Sequence, residues 1–215
     1  MNSSTSNKGL MERLADGPVI CAEGYLFELE RRGYLQAGAF VPEAVLDHPD
    51  EVRQLHREFV HAGSDVVEAF TYYGHREKLR LIGKEHLLED LNREALRIAS
   101  EVAQESGTLL AGNICNTNLF EPDSAESEKQ VRAMFEEQVA WAVEANAELI
   151  IGETFSYTAE ALIALDVIKQ TKLPAVITMA FHRTDTTREG HTAGESCKRI
   201  ADGGADVFPV PARSA

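Results

Sequence analysis

The sequence predicts an α/β fold, an incomplete (β/α)8 barrel. Three observations carry that reading: short apolar runs alternate with longer amphipathic stretches, no long linker separates them, and several runs close on a polar residue. Alternating strand and helix units imply a parallel sheet with right-handed crossovers. A doubly wound open sheet and a barrel both satisfy this pattern. No G-x-G-x-x-G follows the first run, which weakens the dinucleotide-binding open sheet. Glu23, Glu68, Asn113 and Glu153 fall at run ends, which a barrel gathers on one face and an open sheet spreads apart. The TIM-type barrel is therefore preferred.

The first strand is expected over Pro18–Glu23, followed by a helix from about Pro42 to Ala62, with proline in its first turn and Gly63 beyond its end. Val52, Leu55, Phe59 and Val60 form its apolar stripe. The second unit pairs Asp65–Phe70 with a helix over about His86–Glu105. The third pairs Thr108–Ile114 with a helix from Ser124 to about Asn146, capped by Ser124 or Ser127. Its inward residues are Val131, Met134, Phe135, Val139 and Val143. A fourth strand, Glu148–Glu153, precedes a helix over Thr158–Thr171. A fifth, Pro174–Phe181, precedes one over Ala193–Asp202. Gly203 and Gly204 lead into a sixth run, Ala205–Phe208.

This makes about five and a half βα units, against ~250 residues for a whole barrel. One domain is expected over 1–215, truncated in its sixth unit, with 1–16 as a flexible N-terminus. Unpaired first and last strands would favour self-association or a homo-oligomer, and inner-layer side chains would be laid open.

The chain has 215 residues, 44% hydrophobic and 26% charged, with a formal net charge of −14. Such acidity disfavours nucleic acid and anionic lipid as partners, and no apolar stretch approaches the ~20 residues of a membrane span. The polar N-terminus lacks the apolar core of a secretory signal, so a cytoplasmic location is expected. Cys21, Cys115 and Cys197 are scattered, which suits neither a disulfide framework nor a CxxC knuckle. None of the seven histidines makes a metal-ligand pair by spacing, so no metal ligand is assigned.

The candidate site collects at the run ends. Glu23 and Glu153 present carboxylates suited to an ammonium group, with Gly24 and Asn113 beside them. Tyr25, Phe40 and Tyr73 supply aromatic faces that attract an onium cation, by about 1–2 kcal/mol when desolvated. Thr154 follows Glu153. Phe27 and Phe70 are assigned to ordinary core packing.

Several segments are similar to the homocysteine S-methyltransferase family, most of all its betaine-using members. They are Glu23-Gly-Tyr-Leu-Phe-Glu-Leu-Glu-Arg-Arg-Gly-Tyr34, His48-Pro, Gln54-Leu-His-Arg-Glu-Phe59, Ala62-Gly-Ser-Asp-Val66, Phe70-Thr-Tyr-Tyr73, Ile151-Gly-Glu-Thr-Phe155 and Gly204-Ala-Asp-Val207. The resemblance implies methyl transfer from a betaine-type onium donor to homocysteine, giving methionine. It implies that Glu153 binds the homocysteine amino group and that Tyr73 belongs to the donor site. It also implies a zinc ion, held by three cysteines, that activates the homocysteine thiol.

The chain departs from the family pattern in three places. Ala22-Glu23-Gly24 replaces Asp-Gly-Gly, so Glu23 is expected to stand in for the aspartate. Phe40 and Thr154 stand where betaine-using members carry tryptophan and tyrosine. After the sixth run the sequence reads Phe208-Pro-Val-Pro-Ala-Arg-Ser-Ala215, where the family has Gly-x-Asn-Cys. The three cysteines match none of the zinc positions, so zinc is expected of the intact family and not of this chain. Two other readings stand beside methyl transfer: a catalytically silent ligand-binding or assembly module, and a metal-free lyase using Glu23 and Glu153 as acid and base.

Overall fold

In the computed structural model, residues 8–35, 42–181 and 186–208 are described. Four parallel strands form one sheet in chain order: β1 Val66–Glu68, β2 Leu109–Cys115, β3 Leu149–Phe155 and β4 Ala175–Met179. The expected first and sixth strands extend this arc only as single parallel bridges, Cys21 to Val66 and Val176 to Val207. The backbone continues the ladder at both edges: Asp65 N donates to Ile20 O at 2.7 Å, and Ile177 N to Val207 O at 3.0 Å. Six strand positions therefore follow one another around a partial barrel.

Acidic residues fasten the strand starts. Asp65, Glu148 and Asp206 accept the backbone N–H of Ile20, Leu110 and Ala175 at 2.9, 3.0 and 2.9 Å. Each bond satisfies a donor of the neighbouring strand position and helps fix the register.

The helices are α1 Leu10–Asp16, α2 Tyr25–Arg31, α3 Ala44–Asp47, α4 Pro49–His61, α5 Arg76–Leu81, α6 Leu88–Ser106, α7 Ala125–Glu144, α8 Thr158–Lys169 and α9 Ala193–Asp202. The long helix expected from Pro42 is divided at His48, which has φ −139° and ψ 54°. Pro49 follows it, and a residue before proline is disfavoured in the helical region. Val52 and Leu55 are fully buried on α4, with Phe59 and Val60 partly so. Ser124 caps α7 by accepting from Ser127 N. Val143, expected inward, is 43% exposed, because twelve residues of 3.6-fold helix carry it about 120° around from Val131. Thr192 and Glu195 close a reciprocal capping box at the start of α9.

Helices α1, α2 and α5 were not expected. Residues 1–16 were read as a flexible tail, yet α1 packs Leu10 and Leu14 against the inner layer of Val66, Leu109, Ala111, Leu149 and Ile151. Arg13 also donates to Gly107 O at 2.9 Å, just before β2. Contrary to the expectation of an opened interior, those inner-layer residues are buried.

Strand residues alternate between two cores, as the two-residue period requires. Leu109, Ala111 and Leu149 face the inner layer, while Leu110, Ile114 and Ile150 pack with the helices. Inner-face positions become polar toward the C-terminal strand ends, at Glu68, Asn113 and Glu153. Gly112 lets α7 approach β2 closely: a Cβ there would stand 2.6 Å from Ala142 Cβ and 2.8 Å from Ile150 Cδ1. Gly112→Ala is expected to cost about 1–3 kcal/mol, read as a fall of several degrees in Tm with the circular dichroism spectrum retained. An unchanged Tm would contradict this packing.

Candidate functional site

The C-terminal strand ends surround a cavity of about 360 Å³ lined by Glu23, Gly24, Tyr25, Tyr73, Asn113, Glu153 and Thr154. Those are all but one of the residues singled out from sequence; Phe40 lies outside the described residues. Glu68, Tyr72, Phe27 and Phe70 complete much of the wall. Among the described residues no lysine, arginine or histidine lines it.

Asn113 organises the carboxylates. Its Nδ2 donates to Glu68 Oε1 at 2.7 Å and to Glu153 Oε2 at 2.8 Å, joining β1 and β3 across β2. All three residues are buried. Burial raises the Glu153 carboxyl to about 7, helped by the nearby Glu23 charge and opposed by the Asn113 bond. Glu23 is also raised, mainly by burial, against its hydrogen bond with Glu153. Burial, then the Glu153 charge, pushes Glu68 well above the carboxylate range.

The Cys21 thiol and the Glu23 and Glu68 carboxylates place their ligand atoms within 4.8 Å of one another. The thiol is raised by burial and by Glu68, which keeps it protonated. Cys115 is buried at the end of β2, its sulfur accepting from Tyr73 N at 3.1 Å, and Cys197 lies on α9. Among the described residues no metal-sized cluster contains two cysteines. A three-thiolate zinc centre therefore does not fit Cys21, Cys115 and Cys197.

The aromatic residues divide by role. Tyr25 is largely core, stacked on Phe70 at 5.7 Å and hydrogen-bonded through its hydroxyl to His56 Nδ1 at 3.1 Å. Burial holds His56 down at about 3, so its ring is neutral. Phe70 is core as expected, whereas Phe27 is 69% exposed at the cavity rim, a correction to its core assignment. Gly24, at φ +96°, turns the chain into α2, which carries Phe27. Tyr72 and Tyr73 tilt together at 4.4 Å between ring centres, and Lys78 Nζ sits 4.4 Å over Tyr73. Tyr73 and Thr154 both hold positive φ, at 57° and 54°. Such conformations persist where surrounding bonds enforce them. Here Thr178 Oγ1 accepts from Thr154 N at 3.0 Å, and the Thr154 hydroxyl bonds Tyr72 at 2.9 Å.

Glu68 is the principal site residue that sequence reasoning left out. Its position at the end of an apolar run was visible, but its bond to Asn113 depends on register. Chemically, the cavity offers a proton-sharing carboxylate cluster at its base and aromatic faces on its wall, an arrangement complementary to a cationic ligand.

A family model described as homocysteine S-methyltransferase matches residues 20–210. Betaine–homocysteine S-methyltransferase 1 of Xenopus tropicalis is 37% identical over 215 residues, covering 98% of this chain and 53% of its own length. The Danio rerio protein of that name is 38% identical over 208 residues, covering 95% and 51%. S-methylmethionine–homocysteine S-methyltransferase BHMT2 of Pongo abelii is 35% identical over 209 residues, covering 97% and 55%. The metallated homocysteine methyltransferase MmuM of Escherichia coli superposes with a TM-score of 0.76 at 17% identity, covering 92% of this chain and 76% of its own. This chain belongs to the homocysteine S-methyltransferase family, on a partial (β/α)8 barrel. It spans about half the length of these curated relatives. No helix among the described residues is long and apolar enough to cross a membrane.

The raised Glu153 value has a definite consequence for stability. Its folded pKa, about 7, lies above the ~4.3 of an unfolded glutamate. Its contribution is therefore full below that lower value and is lost as pH rises through 7. Carboxylates lowered by arginine, such as Glu58 and Glu94, change stability only at more acidic pH. The buried neutral rings of His56 and His75 act in the opposite sense, costing stability as pH falls below about 6.5, so the Glu153 contribution is read against a variant. The Tm of the ligand-free chain minus that of Glu153→Gln is expected to be a few degrees more positive at pH 5.5 than at pH 8; a difference that does not change with pH would contradict the assignment.

Proposed function

We propose that this chain binds homocysteine and an onium methyl donor, and serves methyl transfer that yields methionine. The observation that carries this reading is the Asn113-bridged carboxylate cluster at the base of an aromatic cavity that no cation lines among the described residues. Glu153 and Glu23 receive the homocysteine ammonium, which supplies the positive charge their proton-sharing replaces. Tyr72 and Tyr73 face the donor cation, with Phe27 at the rim. That relatives are betaine– and S-methylmethionine–homocysteine S-methyltransferases supports two candidate onium donors, betaine and S-methylmethionine.

In the transfer, the homocysteine sulfur, as thiolate with its proton released to solvent, attacks the donor methyl carbon while the bond from that carbon to the onium atom breaks. The donor leaves as a neutral amine or thioether. The residues here bind and orient: the carboxylates fix one end of homocysteine, and the aromatic wall aligns the donor for in-line approach. Zinc, which the family implies, would activate the thiol. Because Cys21, Cys115 and Cys197 do not converge, no step is assigned through it. That same observation supports a second reading, a ligand-binding module without turnover.

Titration calorimetry at pH 8 tests the binding claim. Homocysteine is expected to bind, and Glu153→Gln to weaken it about 10–100-fold, the range for losing a charge-assisted contact. Absence of binding to the wild-type chain would contradict the proposal. Methionine formation from glycine betaine and homocysteine with added zinc would reject the module reading.

A further inference from the structure

A second cavity, of about 340 Å³, shares Tyr72, Tyr73 and Thr154 with the first and is otherwise mostly polar, with Phe120 and Ala180 as its apolar lining. Arg188 lines it, together with Asn116 and Asn118. The two cavities differ in charge: among the described residues three carboxylates and no cation line the first, whereas the second carries Arg188, within electrostatic reach of Glu160. Among the described residues the Arg188 guanidinium forms no ion pair with a carboxylate; it lies 5.8 Å over the Tyr157 ring. Glu160 also lines this cavity, but its Oε1 is occupied by Thr117 N at 2.8 Å and the Thr117 hydroxyl at 2.6 Å.

The segment carrying Arg188 is built into the fold. Arg188 N donates to Ser156 O at 2.8 Å, and Thr187 N to His191 O at 2.9 Å. The adjacent Glu189 carboxylate accepts from the first backbone donors of α8, Thr158 N and Ala159 N. A helix start is thereby satisfied from this segment, which holds Arg188 beside the strand ends.

We infer that Arg188 is a specificity-determining residue: it receives the carboxylate end of the methyl donor in the second cavity, while the donor's onium end lies against Tyr72 and Tyr73. The inference rests on the proposed function and narrows it to donors that carry a carboxylate as well as an onium group. Guanidinium and carboxylate match in charge and in hydrogen-bond geometry. The shared wall of Tyr72, Tyr73 and Thr154 would set the spacing between the two ends.

Glycine betaine and choline test this directly, since both carry trimethylammonium and only the former has a carboxylate. Calorimetry with the full chain is expected to give at least about tenfold tighter binding of glycine betaine. Arg188→Gln should reduce glycine betaine to the level of choline and leave choline within about twofold, while Arg188→Lys should retain part of the preference. An unchanged Tm in both variants is expected, as Arg188 is exposed. Equal binding of the two oniums by the wild type, or a preference that survives in Arg188→Gln, would overturn the assignment and leave the donor site standing. Binding of neither onium would remove the donor reading, and this inference with it.

Discussion

One carboxamide holds the site together. Asn113 stands on the inner face of β2 and gives both hydrogens of Nδ2 to carboxylates on the strands at either side. That requires parallel strands in a register that brings Glu68, Asn113 and Glu153 to neighbouring inner positions. The strand-start bonds of Asp65, Glu148 and Asp206 support that register from the opposite end. With Leu10 of α1 packed among the inner apolar residues, the arc has a dry base and an acidic mouth.

The electrostatics follow from this arrangement. Three glutamates share a partly buried space that no cation lines among the described residues, so charge there is limited by proton uptake. The cluster therefore favours any ligand that brings a positive group to it. The aromatic wall adds attraction of the same sign for an onium. The neighbouring cavity, which shares Tyr72, Tyr73 and Thr154, instead brings Arg188 together with Glu160.

Much of the fold was legible in the sequence, because the central strands are buried on both faces and read as continuous apolar runs between glycines and amphipathic helices. Helix α9 begins and ends where its capping residues and Gly203 indicate. Helices α1, α2 and α5 were missed because they span only six or seven residues. Such short helices owe their existence to tertiary contacts more than to periodicity. The break before α4 was visible in Pro49, but the apolar stripe beyond it drew the expected helix too far back. The terminal strand positions matched the expected segments yet pair only at single residues. At the site, run-end polarity marked Glu23, Glu68, Asn113 and Glu153, but that Glu68 joins the others through Asn113 required register, and Arg188 required a folded loop. Phe27 was misplaced because an aromatic residue just beyond a strand end carries no mark of which way its helix will turn.

The most direct measurement is a carbon-13 titration of the glutamate side-chain carboxyls by NMR, with Glu153 assigned through Glu153→Gln. In the chain alone, the Glu153 signal is expected to titrate near 7. With homocysteine bound, that midpoint should fall, because an ammonium beside the carboxylate favours its charged form. Titration of Glu153 in the ordinary range near 4.3, unchanged by homocysteine, would contradict a buried carboxylate cluster built to receive a cation.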